Sequence, residues 1–256
     1  MRFFFTFIFT IFCLFLSVLS NVSSATTNKV VIVIDDLGYR PTDAQALSLP
    51  GAITFSVLPH TPYGQKLAIQ AHNNDKDVLL HIPMESTIGK KLGPGALTSE
   101  MSEQDIKSQL NKAFLEVPFA IGINNHMGSK LTQLYSPMAW TMQVLKEKNV
   151  MFLDSMTTKL SQGEAVAKRF GVPTLHRHVF LDNHLTEAYI SKQFQQLINI
   201  AKTNTTAVGI AHPHPESIAM LKKLIPTLAD NNIELVAIST LVNQTAAAIK
   251  TAQVTE

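Results

Sequence analysis

Residues 30 to 34 read Val-Val-Ile-Val-Ile and run without a break into Asp35-Asp36-Leu37-Gly38. A row of β-branched residues bounded by polar ones describes a strand buried on both faces, as in a parallel sheet covered by helices. Asp35 and Asp36 then stand where the strand emerges, at its C-terminal end. Side chains alternate along a strand, so the two carboxylates are expected to point in different directions, one towards a metal and one towards a substrate. In barrels and open sheets of parallel strands, the C-terminal rim is where sites are built. The plainer use of such a pair is a turn cap beside a solvated carboxylate.

The same punctuation recurs down the chain. Apolar runs at 52–58, 77–82, 119–123, 150–153, 207–211 and 233–238 read as further strands, with one or two short ones inside 173–181. Helical spacing occupies 41–49, 62–74, 136–148, 161–170, 186–202 and 217–229. Another helix starts at Ser102-x-x-Asp105, a capping box with Asp in place of Glu, and ends near Glu116. Strands alternating with helices predict an α/β fold. At this length they predict a closed or nearly closed (β/α) barrel of about seven to eight mostly parallel strands. A single domain over 26–250 is expected, with the Gly-rich loop 88–97 as a candidate lid.

The N-terminus stands apart from that pattern. Arg2 precedes an almost wholly apolar run from Phe3 to Leu19, and Ser23-Ser24-Ala25 suits a small-residue cleavage site. Residues 1–25 therefore read as a secretory signal peptide; an uncleaved anchor is the competing reading. No later stretch is long and apolar enough to span a membrane after cleavage. The single cysteine, Cys13, lies inside the signal, and Phe12 before it is too large for a lipoprotein signal. The mature chain then has no thiol, which suits an exported, oxidising compartment without requiring disulfides. Its near-neutral charge offers no basic field for nucleic acid.

Chemistry-bearing residues collect after the strands. The first strand gives Asp35 and Asp36, the third His81 and Glu85, the fourth Asn124, Asn125 and His126, the fifth Asp154, and the strand at 207–211 gives His212 and His214. If the strands are parallel, all of these lie at one end of the barrel. Converging His and Asp groups suit a borderline divalent cation, with zinc as the expected metal. Such an ion generates hydroxide near neutrality, a carboxylate takes the proton and a histidine protonates the leaving group, which is amide or ester hydrolysis. Singly, each residue also has an ordinary use. His81 suits a core histidine, Glu85 a helix N-terminus, Asn124-Asn125 a turn, Asp154 a helix cap and His212-Pro213-His214-Pro215 a rigid strand exit.

Together the segments Ile34-Asp35-Asp36-Leu37-Gly38-Tyr39, His81-Ile82-Pro83-Met84-Glu85, Gly122 to Ser129 (GINNHMGS), Phe152-Leu153-Asp154-Ser155 and His212-Pro213-His214-Pro215 resemble the divergent polysaccharide deacetylase family. The match runs in order from about Asn28 to Ile238. The resemblance implies a distorted (β/α) barrel, an exported protein and a bound divalent metal. It implies Asp35 as catalytic base, Asp36 and His81 as metal ligands, and His212 as general acid. Ordinary polysaccharide deacetylases place a second metal histidine where this chain has Glu85, and an Arg-x-Pro segment where it has 124–129. The missing ligand then falls to His126, with Glu85 as a ligand or as support behind one.

The expected function is a periplasmic, metal-dependent carbohydrate deacetylase acting on an N- or O-acetylated glycan. Asp154 is expected to orient a catalytic neighbour, while Asn125, His214 and Tyr39 meet substrate or support the site. Tyr39 and Tyr63 are the rim rings available for sugar stacking. The departures from the ordinary motifs leave, as the alternative, a catalytically weak or inactive barrel that binds glycan or a cell-envelope protein. Hydrolysis of a non-sugar amide or ester fits the same rim chemistry. Oligomeric state is left open.

Overall fold

The structure is a computed structural model that describes residues 27–242. The expected signal peptide and, of the expected domain, residues 26 and 243–250 lie outside the described residues. The first apolar run forms β1 (Asn28–Leu37), followed by a 3-10 turn over Pro41–Ser48, β2 (Thr54–Val57), α1 (Gly64–Asn73) and β3 (Val78–Met84). Then come α2 (Glu103–Glu116), β4 (Gly122–Met127), α3 (Tyr135–Lys148), β5 (Met151–Asp154), α4 (Gly163–Phe170) and two short strands, β6 (Thr174–His176) and β7 (Val179–Phe180). The remainder is α5 (Glu187–Asn204), β8 (Thr206–Ala211), α6 (Pro215–Leu224), a 3-10 stretch over Ile225–Asn231, and β9 (Ile233–Leu235).

All strand pairings are parallel, in the order β6-β5-β4-β3-β2-β1-β8-β7 with β9 also on β1. β8 occupies one edge of β1, while the other edge is shared, by β9 at Asn28–Val30 and by β2 from Val33. The two ends of the sheet meet on one segment. β6 pairs with β5, and β7, only two residues later, pairs with β8. Between them Arg177 donates its N–H to Asp154 O and His178 donates to Val208 O. The sheet therefore curls into a distorted (β/α) barrel joined through one crossing segment, without a β6–β7 ladder.

Strand alternation sorts the core into two layers. Val30, Ile32 and Ile34 of β1 pack outward with the helices, whereas Val31 and Val33 pack inward with Leu79, Met151, Leu153, Val208 and Ile210. This inner layer is the apolar floor of the barrel. One residue pair further along, the inward positions turn polar: Asp35, Ser56, His81 and Asn124, all buried. The helix signals hold with local adjustments. The Ser102 hydroxyl accepts from Asp105 N–H at 3.2 Å and the Asp105 carboxylate accepts from Ser102 N–H at 3.1 Å, so Asp completes the capping box. α6 gives way at Ile225 because Pro226 cannot continue the ladder. β4 is longer than its apolar run because β3 extends beside it to Met84, pairing Ile82 with Asn125 and Pro83 with His126. Asn124, Asn125 and His126 thus lie inside a strand, not after one. Among the described residues no helix is long and apolar enough to cross a membrane.

The crossing segment carries a titratable joint. His178 Nδ1 accepts the Val208 N–H at 3.1 Å, which requires a neutral ring. Burial, with His176 and Arg177 nearby, pushes the His178 pKa down to about 4. The unfolded ring takes its proton near 6.5, so the unfolded state binds more protons between about 6.5 and 4, and stability falls as pH drops through that window. His178→Asn keeps an acceptor at the same place without the titration. Its urea-unfolding midpoint should fall less between pH 7 and pH 4.5 than that of the wild type. A difference of about 1 kcal/mol is expected, since partial exposure screens the charge. Parallel pH profiles would remove His178 from the acid response.

Candidate metal centre

The geometry of the site begins with an irregularity in β1. Its register to β2 runs Ile34↔Phe55 and then Leu37↔Val57, so one extra residue is inserted on β1. Asp36 sits at φ 61°, in the left-handed region. A bulge of this kind bends the strand and re-aims a side chain, and Asp tolerates the conformation better than most residues. The expected divergence of the two carboxylates is therefore corrected. Asp35 Oδ2 lies 3.6 Å and Asp36 Oδ1 3.0 Å from the same atom, His81 Nε2.

Asp36 Oδ1 is also 2.8 Å from His126 Nδ1, and the two ring nitrogens are 3.2 Å apart. The three atoms form a nearly equilateral triangle. Donor atoms about 2.0–2.1 Å from a tetrahedral zinc ion stand about 3.3 Å apart, so the residues fit a divalent cation once the triangle opens by a few tenths of an ångström. Asp36 Oδ1 is buried and, despite these short distances, no hydrogen bond is aimed at it. That orphaned oxygen between two imidazoles is what a ligand set looks like. Burial opposes charge on Asp36, but His126 and His81 outweigh it and hold the carboxyl well below its usual range. Burial likewise opposes charge on His81, and Asp35 and Asp36 overcome it and raise its pKa, a field that equally attracts a cation.

Asn124 organises His81. Its amide nitrogen donates to both Asp35 oxygens, at 2.9 and 3.0 Å. This fixes its Oδ1 as an acceptor, which takes the Ser56 hydroxyl at 2.5 Å and lies 2.8 Å from His81 Nδ1. Nδ1 must then carry the proton, leaving the His81 Nε2 lone pair facing the triangle. The same chain holds Asp35, whose pKa burial raises against the opposing pull of His81, His212 and Asn124. His81 and Asn124 are register partners across β3 and β4, which is why the contact forms.

A second Asp–His pair faces the first. His212 Nδ1 is 2.9 Å from Asp182 Oδ1, and Asp182 Oδ2 accepts the His212 N–H at 2.7 Å and the Ser217 hydroxyl at 2.6 Å. His212 Nε2 looks back at Asp36 Oδ2 from 4.0 Å. Burial opposes charge on this ring, but hydrogen bonding and charge from Asp182 push its pKa up to about 9. Asp36, His126 and His212 line a cavity of about 230 Å³ together with Tyr39, Arg40, Asp43, Leu58, Pro213 and His214.

Other expected members lie elsewhere. Asp154 follows Phe152 onto the outer face of β5, where it accepts from Met156 N–H at 2.9 Å and the Ser161 hydroxyl at 2.6 Å. It braces the β5–α4 loop, and the carboxylate that hydrogen-bonds His212 is Asp182. Asn125 also points away from the cavity, donating to Met127 O at 2.7 Å and accepting Ser155 N–H at 2.9 Å. Glu85 binds Ser99 N–H at 2.7 Å and Lys130 Nζ at 2.6 Å, outside the triangle. Lys130 and Ser99 lower its pKa to about 2. His214 and Tyr39 do line the cavity. The sequence signal for Asn124 was parity: once β4 is extended to Met127, Asn124 and His126 share a face and Asn125 does not. Asp182 carried the same strand-end signal as the others, at the exit of a two-residue strand.

Asn124→Ala would leave the Ser56 hydroxyl and His81 Nδ1 without their acceptor. Metal-chelator competition should show zinc affinity about 10- to 100-fold weaker than in wild type. Urea unfolding of the metal-free protein should show about 1–3 kcal/mol lost. Unchanged zinc affinity would detach Asn124 from the centre.

Comparison with known proteins agrees with this architecture. Residues 32–242 match the family model described as "Divergent polysaccharide deacetylase". The uncharacterized protein YibQ of Escherichia coli (strain K12) is 39% identical over 231 residues, covering 90% of this chain and 72% of that protein. The crystal structure of an uncharacterized Agrobacterium tumefaciens C58 protein superposes with a TM-score of 0.80 at 26% identity, covering 86% of this chain and 91% of the other. A CE4 family pseudoenzyme from Bacillus anthracis shares the fold at a TM-score of 0.53 and 13% identity, over 84% of this chain and 66% of its own. With the family model spanning nearly all of the described residues, this chain belongs to the divergent polysaccharide deacetylase family.

Proposed function

We propose that the protein is an exported, metal-dependent hydrolase that removes acetyl groups from a cell-envelope glycan. The observation that carries this reading is the convergence of Asp36 Oδ1, His81 Nε2 and His126 Nδ1 within 2.8–3.2 Å of one another, beneath a cavity that His212 faces. Export rests on the apolar N-terminus and the glycan on the family.

Asp36, His81 and His126 would hold the cation, zinc by the chemistry of its donors. When bound, the cation supplies Lewis-acid activation of water and of the acetyl carbonyl. Asp35, bound at both oxygens by the Asn124 amide, serves as the base that takes the proton from the attacking water. Water oxygen bonds to the acetyl carbon, the C–N or C–O bond breaks, and the leaving nitrogen or oxygen needs a proton. His212 faces it with Nε2 while Asp182 holds Nδ1, the orientation a general acid requires. The products are acetate and a free amine or hydroxyl.

A second reading, glycan binding without turnover, has one observation in its favour: Asp35 is only 1% exposed and does not line the cavity. Acetate release from acetylated glycan oligomers by zinc-loaded protein separates the two. Wild type should release acetate about 10²- to 10⁴-fold faster than Asp35→Asn. Wild-type release no faster than this variant, together with glycan binding indifferent to chelator, would leave the binding reading standing. His81→Ala should lose stoichiometric zinc by elemental analysis while keeping its folded circular-dichroism spectrum; retained zinc would take His81 out of the ligand set.

A further inference from the structure

We propose that the sugar presented to this centre is acidic, and that Arg40 recognises its carboxylate. The inference rests on the hydrolase reading above and adds the substrate's chemical class.

The cavity has three kinds of lining. Asp36, His126 and His212 belong to the chemistry, and Leu58 and Pro213 are apolar walls. Asp43 is buried at 3% exposure, and its Oδ2 accepts the Gly38 and Arg40 N–H groups, both at 3.0 Å. That carboxylate is the brace of the 38–43 loop. It holds the backbone so that Tyr39 and Arg40 stand exposed side by side at the mouth. Gly38 makes the turn possible. It sits at φ 140°, and an added Cβ would fall 2.2 Å from the Thr61 hydroxyl.

Arg40 is the one Lys or Arg side chain on the cavity wall. The wall's carboxylates, Asp36 and Asp43, are engaged elsewhere: Asp36 Oδ1 faces His81 and His126, and Asp43 holds two backbone N–H groups. No carboxylate among the described residues reaches ion-pairing distance of the Arg40 guanidinium. A planar fork of donors beside a reaction centre is suited to bidentate capture of a carboxylate. Beside it, Tyr39, 48% exposed, offers a ring face for a sugar to stack on. A pyranose lying over Tyr39 brings its carboxylate to Arg40. Two sources carry that group, a lactyl ether on an amino sugar and a hexuronic acid.

Acetate release is compared on three oligomers: a neutral N-acetylglucosamine oligomer, one alternating with lactyl-ether sugars, and one alternating with hexuronate. Wild type should favour one or both acidic oligomers in kcat/KM. Which one it favours identifies the source. Arg40→Gln should lower the acidic-to-neutral ratio by about 10- to 100-fold, and Arg40→Lys by less, as expected for loss of a charged hydrogen bond and of its fork. Arg40→Glu should invert the preference. Equal kcat/KM on all three, or a ratio unmoved by Arg40→Gln, overturns the proposal. If wild type releases no acetate from any of them, the hydrolase reading fails, and calorimetric binding of the same oligomers decides on Arg40. Tighter acidic binding abolished by Arg40→Gln upholds it, and equal binding of neutral and acidic oligomers overturns it.

Discussion

The site depends on one inserted residue. Without the bulge in β1, alternation would send Asp36 outward with Ile34, into the layer between sheet and helices and away from His81 and His126. With it, Asp35 and Asp36 both reach His81 Nε2. The left-handed φ at Asp36 costs on the order of 1–3 kcal/mol for a residue with a side chain. It persists because the strand is locked on both sides of it. β8 holds β1 from Lys29 to Ile34, and β2 resumes at Leu37. Gly38 and the Asp43 brace then fix the exit of the chain.

The fold and the address of the site were legible in the sequence, because both follow from period and order. Buried apolar runs ending in His, Asp and Asn gave the strands, and parallel strands put those ends on one rim. What alternation could not give was the direction of each side chain, because parity depends on where a strand stops and slips. Asp36 escaped through a bulge that only the pairing with β2 reveals. Asn124 and Asn125 exchanged roles because β4 continues past its apolar run, held by β3. Asp154 was read as facing the site, yet on β5 Met151 and Leu153 are the residues whose parity points inward. The carboxylate that steadies the general-acid candidate comes instead from Asp182, after a strand of two residues that has almost no hydrophobic signature of its own.

The interior is graded along the barrel axis. An apolar floor of Val31, Val33, Leu79, Leu153, Val208 and Ile210 lies under a polar storey of Asp35, Ser56, His81 and Asn124. A buried polar network is destabilising unless every member is satisfied. Here Asn124 satisfies the others, since it alone carries both donors and an acceptor in one rigid plane. It joins a carboxylate that can only accept to an imidazole that must then donate. Residues from β1, β2, β3 and β4 are tied by that one amide. The floor supplies cohesion, and the storey above supplies direction.

His81 and His212 differ in what their Nδ1 touches, and that difference bears on the chemistry each can offer. His81 Nδ1 donates to a neutral amide oxygen, which fixes the tautomer without adding a full negative charge at that nitrogen, so Nε2 is presented as a lone pair. His212 Nδ1 donates to a carboxylate, which favours imidazolium and so presents Nε2 as a proton donor. The amide behind His81 fixes a tautomer that leaves Nε2 free for a cation, and the carboxylate behind His212 holds the proton a general acid would need. Exchanging Asn124 and Asp182 in thought shows the consequence. His81 would gain a carboxylate that raises its basicity, so a proton would compete harder with a cation for Nε2, and His212 would lose the carboxylate that keeps its proton for a leaving group.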